Sequence, residues 1–237
     1  MVKFHVKDRD IVLPGDVIAE DASGVKIRSI YLTRVCGKIL STICGLVHIV
    51  DNKEVDLIPL EGPYIPRVDD IVIGLIIDIG LTHWEVDINS PYTAILNANE
   101  ALHKQFNPIH DDLRRYLSVG DYIVAKIIGF DRSRPPMLTI KEKGLGRITG
   151  GKVIEIKPSR IPRVVGKKGS MITMLKNETT CDIVVGQNGR IWISCPSKEL
   201  EDILTLAIKK IELEAHTSGL TSRIREFIMK EKSERGI

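Results

Sequence analysis

Arg160-Ile161-Pro162-Arg163-Val164-Val165-Gly166-Lys167-Lys168-Gly169-Ser170-Met171-Ile172 is the stretch from which the rest of the chain is read. An apolar pair, Val164-Val165, leads into Gly-Lys-Lys-Gly, and an apolar helical pattern restarts at Met171, Ile172 and Leu175. Neither glycine carries a Cβ, so a tight turn there brings its backbone close to a ligand. Lys167 and Lys168 place positive charge at the tip, and the amides opening the next helix face outward. That combination suits a phosphate. A G-x-x-G is a weak signal by itself, and the flanking chain carries the argument.

Residues 152–157 alternate as a strand ahead of that stretch. Cys181–Val185 and Arg190–Ser194 read as two strands joined by Gly186-Gln187-Asn188-Gly189, a strong hairpin turn. Pro196-Ser197 supplies a break and a helix N-cap, after which Leu200, Ile203, Leu204, Ala207, Ile208 and Ile211 recur at helical spacing. The order β-α-α-β-β-α, with Gly-Lys-Lys-Gly between the first two helices, resembles the type I (eukaryotic-type) KH domain. In KH domains this loop clamps a single-stranded nucleic-acid backbone. The resemblance implies RNA contact through Arg160, Arg163, Gly166, Lys167, Lys168 and Gly169.

Charge supports a polyanion partner for this region. The net charge of +3 divides unevenly. Residues 144–237 hold 17 basic and 11 acidic residues, or +6, while the remainder sums to −3. Between Arg147 and Lys168 there are seven basic residues and one acid, Glu155. A merely solvated face mixes signs more evenly.

Upstream, residues 66–143 read as five strands: Ile71–Ile79, His83–Ile88, Tyr92–Leu96, Asp121–Ile128 and Met137–Lys141. A longer, partly helical connection lies between the third and fourth. This pattern fits an OB-type barrel. The run Val119–Lys126 followed by Pro136–Ile140 resembles the last two strands of S1 RNA-binding domains. Alternation places Trp84 with Val86 and Ile88 on the apolar face, so it is expected in the core rather than as a stacking platform. The opposite face offers His83 with Glu85 and Asp87, and those acids repel phosphate. The positive candidates are Lys126, Arg132 and Arg134, for which a solvated rim is the competing reading, and His83 joins them as the fourth RNA-contact candidate of this domain.

Residues 1–65 show short, evenly spaced apolar runs at Val17–Ala19, Val25–Leu32, Val35–Leu40, Gly45–Val50 and Val55–Pro59, as in a small β-sandwich or barrel. His48 is expected as a packed strand residue. Gly62-Pro63-Tyr64-Ile65-Pro66 punctuates the end of this segment, and Gly144 to Gly151 forms a second join. The expected domains are thus 1–65, 66–143 and 147–216, with a helical tail over 217–237. For the tail helix, docking on the barrel, docking on a partner and fraying all stay open.

Other classes find little support. The 237 residues are 43% hydrophobic and 27% charged, ordinary for a soluble protein, and no apolar run reaches the length of a membrane span. Without a signal-peptide core, cytoplasmic residence is the default. Cys36, Cys44, Cys181 and Cys195 form no C-x-x-C, and no histidine pair has zinc-ligand spacing, so neither metal nor cofactor is expected. Cys181 and Cys195 flank the hairpin; free buried thiols are the expected state, with a disulfide as the alternative. Asp69-Asp70 and Asp111-Asp112 are adjacent pairs with no third carboxylate or histidine in support, so no nuclease site is expected.

A small β-domain, an S1 domain and one KH domain, in that order, resemble the RNA-binding cap subunits of the archaeal exosome across nearly the whole chain. The matching segments are Leu13–Asp16, Tyr64-Ile65-Pro66 with Val72-Ile73-Gly74, Trp84–Ile88, Gly166–Met171 and the G-x-N-G turn at Gly186–Gly189. The family usually begins its S1 domain with Gly-Asp; here it reads Asp69-Asp70. The resemblance implies a non-catalytic cap on a hexameric ring of RNase PH-like subunits, three copies per ring, mixed in some assemblies with a zinc-ribbon cap. It implies ring docking by the N-terminal domain, single-stranded RNA guided past the S1 domains, and an Asn188 that joins S1 to KH. NusA-type regulators also run S1 before KH but carry two KH domains. Polynucleotide phosphorylases place KH before S1, behind catalytic domains absent here. A purely structural subunit is the remaining alternative.

Overall fold

The structure is a computed structural model that describes residues 3–20, 23–51, 53–102, 106–107, 111–131, 133–215, 217 and 219–236. Between Gly62 and Pro63 the chain divides into two compact units.

The first unit contains two four-stranded sheets. Strands β1 (Lys3–Phe4), β2 (Ile11–Val12), β3 (Val17–Glu20), β4 (Lys26–Ile27), β5 (Leu32–Val35), β6 (Lys38–Ser41), β7 (Gly45–Val50) and β8 (Glu54–Pro59) arrange as β1-β3-β6-β5 and β2-β7-β8-β4. Val12, Ile18, Ile39, Val47, Val55 and Leu57 build their shared core. The run Val35–Leu40 is not one strand. Cys36 and Gly37 both have positive φ (47° and 78°), and Val35 pairs with Lys38, so a two-residue hairpin turn interrupts it. Two positive φ values match the right-handed twist of the flanking strands. His48 also departs from expectation: it is exposed on β7, with Nδ1 2.9 Å from the Asp8 carboxylate.

The second unit opens with a closed barrel. Its strands are β9 (Ile71–Ile79), β10 (His83–Asp87), β11 (Ala94–Asn97), β12 (Tyr122–Asp131) and β13 (Arg134–Thr139). They run β13-β11-β10-β9-β12, and pairing of β12 with β13 closes the ring. Trp84 is fully buried, as alternation requires, and its indole N–H donates to the Leu117 carbonyl at 3.2 Å. Tyr64 belongs to this core, and its hydroxyl donates to Asp70 at 2.5 Å. Asp69 has a φ of 73°, the left-handed region that favours glycine and that aspartate tolerates better than most residues.

A short strand, β14 (Gly146–Arg147), pairs with β12 and leads into an antiparallel sheet of β15 (Lys152–Glu155), β16 (Asp182–Val185) and β17 (Arg190–Ser194), ordered β15-β17-β16. Helices α1 (Ala98–Ala101, in the barrel connection), α2 (Ile161–Val165), α3 (Ser170–Thr179), α4 (Lys198–Leu213) and α5 (Leu220–Arg235) complete the chain. The β15-α2-α3-β16-β17-α4 order is the type I KH arrangement. Helix α5 packs into the same core through Leu220, Ile224 and Ile228, against α3 and α4. Arg225 pairs with Glu178 at 3.0 Å, and Lys232 donates to the Glu178 carbonyl. The apolar face of the helix therefore extends the KH core.

The cysteine expectation is overturned. Cys181 and Cys195 form a disulfide across the open end of the β16–β17 hairpin, while Cys36 and Cys44 are free and exposed. The pairing Asp182↔Ser194 brings the next two residues of the ladder face to face.

Candidate nucleic-acid interface

Helix α2 ends at Gly166 (φ 75°), whose N–H donates to the Pro162 carbonyl at 2.9 Å. A Cβ at Gly166 would fall 2.7 Å from the Met171 nitrogen, so the first glycine is required by packing as well as by φ. Lys168 (φ 53°) and Gly169 (φ 80°) continue in the left-handed region, and α3 starts at Ser170. The loop thus doubles back sharply and presents Lys167 and Lys168 to solvent.

Arg163, Lys167 and Lys168 are exposed and Arg160 is half-buried. Among the described residues, none of the four has a carboxylate partner. Arg163, Gly166, Lys167 and Ser170 border a cleft of about 300 Å³, whose far wall includes Thr221 and Ser222 at the start of α5. The structure therefore gathers three of the six loop candidates, Arg163, Gly166 and Lys167, around one concavity, and Arg160, Lys168 and Gly169 do not line it. Sequence reading did not find the α5 side of it, because those residues lie some fifty positions downstream with no motif to mark them.

The barrel candidates are placed differently. Lys126 Nζ lies 2.9 Å from Glu142 and 3.2 Å from Asp69. Its hydrogen bonds to Glu142 and then to Asp69 raise its pKa above the ordinary lysine value. Its charge is engaged within the protein. Arg134 is exposed at the turn between β12 and β13, opposite Asp131. Arg132 lies outside the described residues. His83 is half-buried, its ring against Gly80, on the face it shares with Glu85 and Asp87.

In the Gly186–Gly189 turn Gln187 is exposed, but Gly186, Asn188 and Gly189 are buried. Asn188 is fully buried, and its side-chain amide spans two barrel strands. Its Nδ2 donates to the carbonyls of Ile73 (2.8 Å) and Ile88 (2.9 Å), and its Oδ1 accepts from the Ile73 N–H (3.2 Å). A Cβ at Gly186 would come 2.4 Å from that Oδ1, so glycine is obligatory there. Asn188 thus joins barrel to KH, as the resemblance implies. Arg190, unnoticed in the sequence, completes the lock. Only 5% exposed, it bonds Glu155 at 2.8 Å, the Asp87 carbonyl at 2.7 Å and the Asp87 carboxylate at 2.5 Å. Burial works against its charge, but the Asp87 and Glu155 carboxylates outweigh that penalty and its pKa is raised. Asp87 is consequently not a free acid on the barrel face.

Comparison with known proteins agrees with this architecture segment by segment. Residues 9–61 match the model of the exosome RNA-binding protein Rrp4 N-terminal domain, 63–129 the Rrp4 S1 domain and 151–199 a KH domain. The exosome complex component Rrp4 of Ignisphaera aggregans is 50% identical, covering 100% of this chain and 96% of its own. The chain belongs to the Rrp4 family of exosome components. The Rrp4 proteins of Saccharolobus solfataricus (46% identical; 98% of this chain, 93% of that one) and Thermococcus kodakarensis (41%; 100% and 93%) extend the relationship. A crystal structure described as an exosome complex RNA-binding protein superposes with a TM-score of 0.70 at 50% identity, covering 73% of this chain and 99% of the other. Membership in the Rrp4 family sets aside the NusA-type and polynucleotide phosphorylase-type alternatives.

Proposed function

We propose that this Rrp4-family chain is a non-catalytic RNA-binding cap of the exosome. In this reading it captures single-stranded RNA, directs the 3′ end to the pore of an RNase PH-like ring and stabilises the assembly. The observation that carries the reading is that Arg160, Arg163, Lys167 and Lys168, on the KH loop and the turn and helix before it, have no carboxylate partner among the described residues. Cations already neutralised within a fold contribute little to phosphate binding; these are not neutralised. Guidance toward the pore falls to the barrel side, to Arg134, Arg132, Lys126 and His83, with Lys126 acting only by exchanging a carboxylate for phosphate.

Ring docking is supported by the outer face of the first unit. Ile11, Leu46 and Ile58 align in register across β2, β7 and β8, and Leu13, Cys44 and Leu60 lie two positions along on the same face. Ile11 and Ile58 are 63% and 50% exposed. A contiguous apolar face on one sheet marks an interaction surface. The non-catalytic reading is supported by what the acidic pairs do: Asp70 accepts from Tyr64, Asp69 holds Lys126, and Asp112 caps the turn at Arg114. Three copies per ring and mixing with a zinc-ribbon cap belong to the same proposal.

The test is a fluorescence titration of a single-stranded oligoribonucleotide at several salt concentrations. Wild type is expected to show a log–log salt slope on the order of −3 to −4, for about five phosphate contacts. Lys167→Asp with Lys168→Asp is expected to weaken binding at least tenfold and flatten the slope while the thermal melt stays in place. Unchanged affinity at low salt would remove the loop from the mechanism.

A further inference from the structure

The KH loop has an opposite wall that neither its motif nor the family description includes. The cleft beside Gly166 is closed on its far side by Thr217 and by Gly219–Ser222, the segment that turns into α5. Arg163 and Lys167 stand on the loop side with no carboxylate partner among the described residues. Among the described residues, no acid lines the cleft. Thr217 is occupied, donating to the Glu214 carbonyl and accepting from Arg223. The exposed hydroxyls of Ser170, Thr221 and Ser222 have no hydrogen-bond partner among the described residues. Two uncompensated cations and three free hydroxyls thus border a concavity of about 300 Å³, near the small end for ligand pockets.

We propose that this cleft seats a backbone phosphate of the bound RNA strand, with Arg163 and Lys167 supplying charge and Thr221 and Ser222 donating from α5. The proposal rests on the reading that the loop binds RNA, and it adds α5 to the binding surface. Arginine and lysine on one side with short hydroxyls on the other match a tetrahedral anion better than a base, which needs a flat apolar or aromatic wall. Helix α5 is held rigidly enough to serve: Ile224 and Ile228 are fully buried one and two turns beyond the cleft.

The experiment is RNA titration of the full chain carrying Thr221→Glu and Ser222→Glu. Acids in the first turn of a helix are favoured by its dipole, so the fold is expected to melt at or above the wild-type temperature. A control, Met229→Glu, adds an acid to the same helix away from the cleft, at a side chain 52% exposed. We expect the double variant to weaken RNA binding about tenfold and to reduce the salt slope by about 0.7, the share of one single-strand phosphate contact. Met229→Glu is expected to stay within twofold of wild type. If the double variant binds like wild type while Lys167→Asp loses affinity, the α5 wall is overturned and the loop reading survives. If neither changes affinity, both readings fall. Equal weakening by Met229→Glu would mean that overall charge is responsible, and would also overturn the seat.

Discussion

Asn188 shows what a single side chain does at a domain junction. A carboxamide both donates and accepts, and here it meets one N–H and two carbonyls from β9 and the end of β10, partners that lie 115 and 100 residues away in sequence. Asn188→Ala strips the Ile73 N–H and the Ile88 carbonyl of these bonds and leaves the Ile73 carbonyl only the 3.4 Å bond from Arg190, which costs about 2–4 kcal/mol. Asn188→Asp is expected to be worse, because a carboxylate can accept from Ile73 but cannot donate to either carbonyl and would be buried with its charge. Chemical denaturation of both variants checks the order; equal stability of Ala and Asp would contradict the donor role. The turn itself was legible from Gly-Gln-Asn-Gly, and the family resemblance pointed Asn188 inward. Arg190 was not legible. A strand arginine reads locally as solvated, and only the fold brings Asp87 and Glu155 to it. Asp69 is the converse case, where an apparent departure from the family's Gly-Asp is resolved by the tolerance of aspartate for a φ of 73°.

At the scale of elements, the β16–β17 hairpin is fixed at both ends, by the turn locked on the barrel and by the Cys181–Cys195 disulfide at its open end. With a sequence separation of 14 between the cysteines, the chain-entropy argument gives the bridge about 3 kcal/mol. Replacing both cysteines with serine is expected to lower the KH melting transition. A reductant should do the same to wild type and nothing further to the variant, and identical melts with and without reductant would show the bridge to be absent in solution. Long periodic elements such as α4 and β9 were readable from spacing alone. The Cys36-Gly37 turn was not, because cysteine replaces the usual Asn or Asp and the apolar run continues through it. The site of α5 was also beyond the sequence: Ile224, Phe227 and Ile228 announced an apolar stripe, but several surfaces could have covered it. Its place against α3 and α4 is set by tertiary packing, which overrides what a marginal helix does alone.

For the whole molecule, the proposed cap has two separable tasks, and the proposal gives them to different surfaces. RNA capture draws on the cations around Gly166, whereas docking draws on the apolar face of β2, β7 and β8. Ile11→Asp with Ile58→Asp changes only side chains already more than half or about half exposed, so the core of Val12, Val47 and Leu57 is untouched. The strand cost of aspartate is on the order of 1 kcal/mol. A buried interface, in contrast, would receive two unpaired carboxylates, which a docked apolar surface does not tolerate. The variant is therefore expected to fold, to bind single-stranded RNA within twofold of wild type, and to fail to co-purify with a ring of RNase PH-like subunits. The lysine variant of the KH loop is expected to do the reverse, joining the ring normally while losing RNA. Each surface is thereby tested with the other as its internal control. An Ile11→Asp, Ile58→Asp chain that assembled as well as wild type would remove this sheet face from docking and leave the RNA-binding argument standing.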